Sequence, residues 1–109
     1  MTEIRADTKI LTFINVFSVK PQDSDALLQL LIEATNKVMC KLPGFVSANF
    51  HQSSDGSKII NYAQWENRDA FDAMLRTPVA IEHMLKIREI ATSEKDFYKV
   101  VSVHETSKQ

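Results

Sequence analysis

Hydrophobic and polar positions along the chain alternate between two periods. The run "ILTFINVFSV" (10–19) is rich in β-branched and aromatic residues and predicts a strand. After the loop "KPQDSD", with Asp23 and Ser24 as cap candidates, the period changes. In "ALLQLLIEATNKVMCKL" (26–42), Leu27, Leu31, Ala34 and Val38 form one helical stripe. Pro43-Gly44 ends it. The segments "FVSANFHQS" (45–53) and "KIINYAQW" (58–65) predict two strands, and the Asp-Gly between them is a strong hairpin signal. Asn67 is placed to cap a helix carrying Ala70, Phe71, Met74 and Leu75. Thr77-Pro78 then restarts it, with helix continuing over residues 79–91. "FYKVVSVHE" (97–105) predicts the last strand. The order βαββαβ is the ferredoxin-like α+β pattern: an antiparallel sheet in the order 4-1-3-2 with the helices on one face.

Strand alternation sorts the side chains into two faces. With Asp55-Gly56 as a two-residue turn, Val46, Ala48, Phe50, Ile59, Asn61, Ala63 and Trp65 share one face of the hairpin. Ser47, Asn49, His51, Ile60, Tyr62 and Gln64 share the other. The first face is the more apolar and belongs under the helices. On the first strand, Leu11, Phe13, Asn15, Phe17 and Val19 form the matching face. Two amides, Asn15 and Asn61, therefore point into the layer between sheet and helices. A buried amide without partners costs about 1–3 kcal/mol. A lone buried asparagine is ordinarily satisfied by a helix end or a water. Two of them beside the chain's one tryptophan describe an apolar cavity with a few aimed polar groups, the form of a small-molecule site. The second face, with Ile60 and Tyr62 at its centre, fits a partly polar homodimer interface.

Composition narrows the possible functions. A chain of 109 residues with 44% hydrophobic and 25% charged residues has the makeup of one globular domain spanning 1–109. Residues 1–9 and 106–109 are polar enough to be flexible tails. The formal net charge is −1 and no basic run is present, which argues against nucleic acid. Cys40 is the only cysteine, so no intrachain disulfide forms, and its place beside Met39 late in a helix suggests a buried small hydrophobe. The polar start and the lack of a long apolar run give no membrane segment and suggest the cytoplasm. There is no phosphate-cradling glycine loop, no metal-ligand cluster, no carboxylate pair and no nucleophile–base pair. No flavin, haem or metal cofactor is expected.

The stretch "LPGFVSANFHQSSDGSKIINYAQWENRDAF" (42–71) resembles the antibiotic biosynthesis monooxygenase family, most closely its cofactor-free branch that oxidises anthrones to quinones. The block "NYAQW", with "PGF" and "DG" at these spacings, carries the resemblance. It implies a dimeric α+β barrel, a cavity in each subunit between sheet and helices, and direct chemistry with O₂ on a flat aromatic substrate. It also implies catalytic roles for Asn61, on the oxygen that gains charge, and for Trp65, on the ring plane. Asn15, Phe50, Phe71 and Met84 would line the pocket. Two tyrosines of that branch fall on Phe50 and Phe71, which cannot donate a proton, and a basic side chain falls near the apolar Met84.

Two other functions fit the same frame. The haem-degrading branch uses an asparagine, a tryptophan and a histidine, and this chain offers Asn15, Trp65 and His83. His83 falls one residue from the required position, a rotation of about 100° on a helix. Its stripe with Val79, Ile87 and Ile90 makes it a core histidine. A non-catalytic dimer that binds or senses a small molecule is the other alternative. His51 and His104 have the positions of structural or exposed groups.

Overall fold

The computed structural model describes residues 1–107. Of the tail expected at 106–109, residues 108 and 109 lie outside the described residues. The strands β1 (Leu11–Val19), β2 (Phe45–Gln52), β3 (Lys58–Trp65) and β4 (Ala91–Tyr98) form one antiparallel sheet in the order β2-β3-β1-β4. This is the ferredoxin-like order expected from the sequence. Helices α1 (Ser24–Lys37), α2 (Arg68–Leu75) and α3 (Pro78–Arg88) pack on it.

The local chemistry explains the boundaries. The stripe Leu27, Leu31, Ala34 and Val38 is buried, so it decides how α1 lies. Asn67 caps α2 by accepting the Ala70 N–H at 2.8 Å. Pro78 fixes the first turn of α3, and Thr77 is the N-cap without a side-chain cap bond. Gly44 takes φ +83°, and a β-carbon there would run into the Cβ of Ala70 on α2. That glycine lets the chain turn into β2 directly beneath α2.

The β2–β3 hairpin keeps the expected register from Gln52↔Ile59 to Ala48↔Ala63 but departs from it at both ends. At the tip, Ser53 and Lys58 close a longer loop: Gly56 N–H donates to Ser53 C=O at 3.0 Å and Ser53 N–H to Lys58 C=O at 2.9 Å. Gly56 supplies the positive φ of +75°. Asp55 stabilises this loop. Its carboxylate accepts from the Ser57 N–H, the Ser57 hydroxyl and the Ser53 hydroxyl, which together hold its pKa down to about 2. At the other end the register shifts between Phe45 and Ser47. Val46 is therefore left 43% exposed, and Phe45, not Val46, pairs with Trp65.

The last strand corrects the sequence reading more substantially. Helix α3 ends at Arg88, and β4 is Ala91–Tyr98 rather than 97–105. The sequence "ATSEKDFY" looks unlike a strand because it is an edge. It gains its ladder from β1, from Thr12↔Tyr98 to Val19↔Ala91, while Glu94, Lys95 and Asp96 stay exposed. Charge on an edge strand guards against pairing with other chains. The apolar alternation at Val101 and Val103 lies beyond the sheet, with Val101 83% exposed. Cys40 is also corrected. The α-helix stops at Lys37 and a 3₁₀ turn at Met39–Lys41 follows, leaving Cys40 exposed.

The core is divided in two. One cluster holds Phe13, Val38, Ala63, Trp65, Phe71, Met74 and Ala80. The other holds Phe17, Val19, Leu27, Leu31, Ile59 and Ile87. On the opposite sheet face the N-terminal segment makes two contacts: Thr2 Oγ1 donates to Asn49 Oδ1, and Gln64 Nε2 donates to the Glu3 carbonyl, both at 2.7 Å. Among the described residues no helix is long and apolar enough to cross a membrane.

Candidate active site

Pairing registers place the side chains of the helix-covered face in rows across the sheet, written from β4 to β2. Phe97, Phe13, Ala63 and Ala48 make one row, and Ser93, Phe17, Ile59 and Gln52 another. Between them runs Lys95, Asn15, Asn61 and Phe50. The first of these rows feeds one core cluster and the second feeds the other. The asparagine row is therefore the seam where the apolar core is interrupted.

Asn15 and Asn61 face each other as Cα partners on the two central strands. The Oδ1 of each is buried without a hydrogen-bond partner. Two adjacent orphaned carbonyls are a costly arrangement if nothing binds there, because each forgoes its hydrogen bonds to water. Helix α3 crosses the same seam. Ala80 belongs to the first cluster and Ile87 to the second, and His83, buried on the same stripe, lies between them. Its Nδ1 is also buried with no partner. His83 is thus a core histidine but an unsatisfied one, and of the stripe expected for it Val79 is 48% exposed, with Ala80 buried in its place.

Aromatic rings wall one side of the seam. Phe71 lies 4.7 Å from Phe13 and 5.0 Å from Phe97, centroid to centroid. Trp65, 2% exposed, meets Phe45 and Phe71 edge-on at 5.4 and 6.0 Å. Met84 packs against this cluster, whereas Phe50 packs against the other. The Arg68 guanidinium stands 4.1 Å over the Phe97 ring and covers the cluster from the start of α2. Trp65 and Asn61 lie four residues apart on β3, about 13 Å, too far apart to meet at one atom.

The structure thus joins Asn15, Asn61 and Phe50 in one row and sets Phe71, Met84 and Trp65 in the wall beside it. Sequence reasoning missed Lys95, because the last strand was placed too late in the chain. It also left His83 in the core without a role. The series Ala91, Ser93, Lys95 and Phe97 carries no apolar alternation that would have pointed to Lys95. Two surface hollows, about 440 Å³ beside Ser18, Arg88 and Thr92 and about 330 Å³ beside Thr35, Cys40 and Ala48, touch none of Asn15, Asn61 or His83. The unpartnered polar atoms, and not hollow volume, single out the seam. Among the described residues no group of three or more His, Cys, Asp or Glu side chains is placed to hold a metal ion.

The sequence profile described as antibiotic biosynthesis monooxygenase matches residues 10–89, which includes every residue of the seam except Lys95. The chain belongs to the antibiotic biosynthesis monooxygenase family. Within reach of this family, the tetracenomycin-F1 monooxygenase of Streptomyces glaucescens is 35% identical over 100 residues, covering 92% of this chain and 89% of that protein. Two solved structures share the fold. SnoaB of Streptomyces nogalater, a cofactor-independent oxygenase, is 25% identical with a TM-score of 0.71, covering 94% of this chain and all of SnoaB. The ActVA-Orf6 monooxygenase of Streptomyces coelicolor, solved with nanaomycin D, is 24% identical with a TM-score of 0.80, covering 93% and 96%. Family membership agrees with the resemblance read from residues 42–71.

Proposed function

We propose that this protein is a cofactor-independent monooxygenase that oxidises a flat phenolic or otherwise enolisable aromatic molecule with O₂ at the Asn15–Asn61 seam. The observation carrying this reading is the pair of opposed, unpartnered amide oxygens between two apolar clusters. A phenolic or enolic O–H donates to such an oxygen. The N–H of the same amide donates to an oxygen that gains charge. The monooxygenase and oxygenase names of the relatives support the reaction class.

In the reaction, an activated C–H is deprotonated and the carbanion delivers its electrons to O₂. The resulting hydroperoxide loses water to leave a ketone, so R₂CH₂ and O₂ give R₂C=O and H₂O. Asn61 donates to the enolate or peroxide oxygen, a form of electrostatic stabilisation that grows with the charge. Trp65 fixes the ring plane from the aromatic wall, and Asn15, Phe50, Phe71 and Met84 bound the substrate. With phenylalanines at 50 and 71, substrate hydroxyls at those walls find no side-chain partner. The substrate's polar groups therefore cluster at the amide row.

Two copies associate through the outward sheet face bearing His51, Ile60, Tyr62 and Gln64. On that face Ile60 is 36% exposed, and the Tyr62 hydroxyl is buried without a partner. The test of function is oxygen uptake with 1,8-dihydroxyanthrone as probe. Under ¹⁸O₂, one labelled atom should enter the quinone carbonyl. Tight binding of the probe with no uptake above the spontaneous rate would make the seam a binding site and not a catalytic one.

A further inference from the structure

We propose that His83 is the proton acceptor of this reaction, taking the carbon-bound proton through Nδ1. The inference rests on the oxygenase reading above and adds the group that reading leaves unassigned. His83 is 9% exposed, and its Nδ1 has no hydrogen-bond partner. A histidine kept for packing ordinarily bonds its ring nitrogens to a carbonyl, carboxylate or water, which fixes tautomer and orientation. Here the buried nitrogen is left open at the level of α3 where the core changes from the Ala80 cluster to the Ile87 cluster. Asn15 and Asn61 open at the same change of cluster on the sheet. Three unpartnered polar atoms thus lie on one seam, two on the sheet and one on the helix that covers it.

The helices packed beside α3 present mainly apolar side chains to the core. From α1 the buried residues include Leu27, Leu31 and Ala34, and from α2 Phe71 and Met74. On β4 the titratable group of the seam row is Lys95, which is exposed. Its neighbours on α3, Glu82 and Lys86, pair with each other at 3.8 Å on the outer side. Among the described residues no carboxylate pairs with His83. The amides contribute a different chemistry: they donate and accept hydrogen bonds but do not take a proton at neutral pH.

The step balances with the substrate and O₂ alone. His83 Nδ1 takes one proton from the R₂CH₂ carbon. The carbanion's electron pair reduces O₂ as the C–O bond forms, and the imidazolium returns its proton to the peroxide to give R₂CH–OOH. His83 then removes the second C–H proton while the O–O bond breaks, leaving R₂C=O. The departing hydroxide takes that proton as water.

The test compares wild type with His83→Gln and His83→Ala on 1,8-dihydroxyanthrone. Oxygen uptake is read above the spontaneous rate, and binding of the quinone product is read from quenching of the single tryptophan. The expected result is a fall in kcat of about 10²-fold or more in both variants, the scale of losing a general base. Quinone affinity should stay within about threefold, and added imidazole should restore part of the His83→Ala rate. Thermal unfolding of both variants separates chemistry from folding, and His83→Gln, which keeps a polar side chain of similar reach, serves if His83→Ala fails to fold. A His83→Gln enzyme with kcat near wild type overturns the proposal, as does parallel loss of kcat and binding without imidazole rescue. If Asn61→Ala is impaired while His83→Gln is not, the oxygenase reading stands and the base assignment falls. A wild type inert toward the anthrone removes both.

Discussion

Replacing Asn61 with leucine should make this protein more stable and less active, and the size of both effects follows from the seam. Asn61 is half-buried, with Ile59 and Ala63 flanking it along β3 and Phe50 and Asn15 across from it. Three of these four neighbours are apolar. The Asn61 Oδ1 has no partner, so the folded state carries the desolvation cost of that carbonyl, about 1–3 kcal/mol. Leucine has nearly the same branched shape, removes the orphaned atom and suits a strand better. The expected gain is about 1–3 kcal/mol, which for a domain near this size raises Tm by about 4 °C or more. Turnover should fall by about 10²-fold, as for loss of one donor to a developing oxyanion. Denaturant and thermal unfolding give the first number and oxygen uptake the second. Ile59→Ala provides the contrast: that side chain is fully buried, and its truncation should cost about 2–5 kcal/mol. If Asn61→Leu loses stability as Ile59→Ala does, the amide is satisfied in the fold and the reasoning fails.

The remaining expectations are as concrete. Trp65→Phe keeps a ring in the wall but loses the indole, so substrate binding and turnover should weaken together in steady-state kinetics, with KM rising. Gly44→Ala places a β-carbon against Ala70 on a left-handed backbone and should destabilise by about 1–3 kcal/mol in urea unfolding. Adding Ala70→Gly should recover the packing share and leave the backbone share. Asp55 has a folded pKa depressed to about 2, so its contribution is present above the unfolded value near 4 and lost as pH falls through about 2. The Tm difference between wild type and Asp55→Asn should therefore be constant above about pH 5 and vanish near pH 2, as followed by circular dichroism. Sedimentation at micromolar concentration should show a dimer that Ile60→Lys weakens, and a wild-type monomer would remove the interface.

Much of this arrangement was legible in the sequence, and the exceptions have physical reasons. Alternation in β1 and β3 put Asn15 and Asn61 on the helix side, because a central strand under helices cannot hide its pattern. The register of the hairpin was readable from Asp55-Gly56, although the tip is a longer loop, since both turns leave Gln52 opposite Ile59. The edge strand was not readable. Its ladder comes from backbone atoms of β1, and its solvent side needs no apolar residues, so "ATSEKDFY" lacks the signal that "KVVSVHE" (99–105) shows without joining the sheet. Val46 was misplaced because a bulge shifts alternation by one and leaves no mark in composition. His83 was legible as buried but not as unpartnered. Whether a nitrogen finds a donor depends on the elements packed around it, which a helical stripe does not describe.

The most direct test of the account is a crystal structure of the complex with 1,8-dihydroxyanthraquinone. The account predicts the quinone between sheet and helices. A quinone or phenolic oxygen should lie within hydrogen-bond distance of the Asn61 amide, with the ring system running toward Trp65 and Phe71. A quinone bound in the hollow beside Ser18 and Thr92, or on the outward sheet face, with Asn15 and Asn61 still unpartnered, would contradict it.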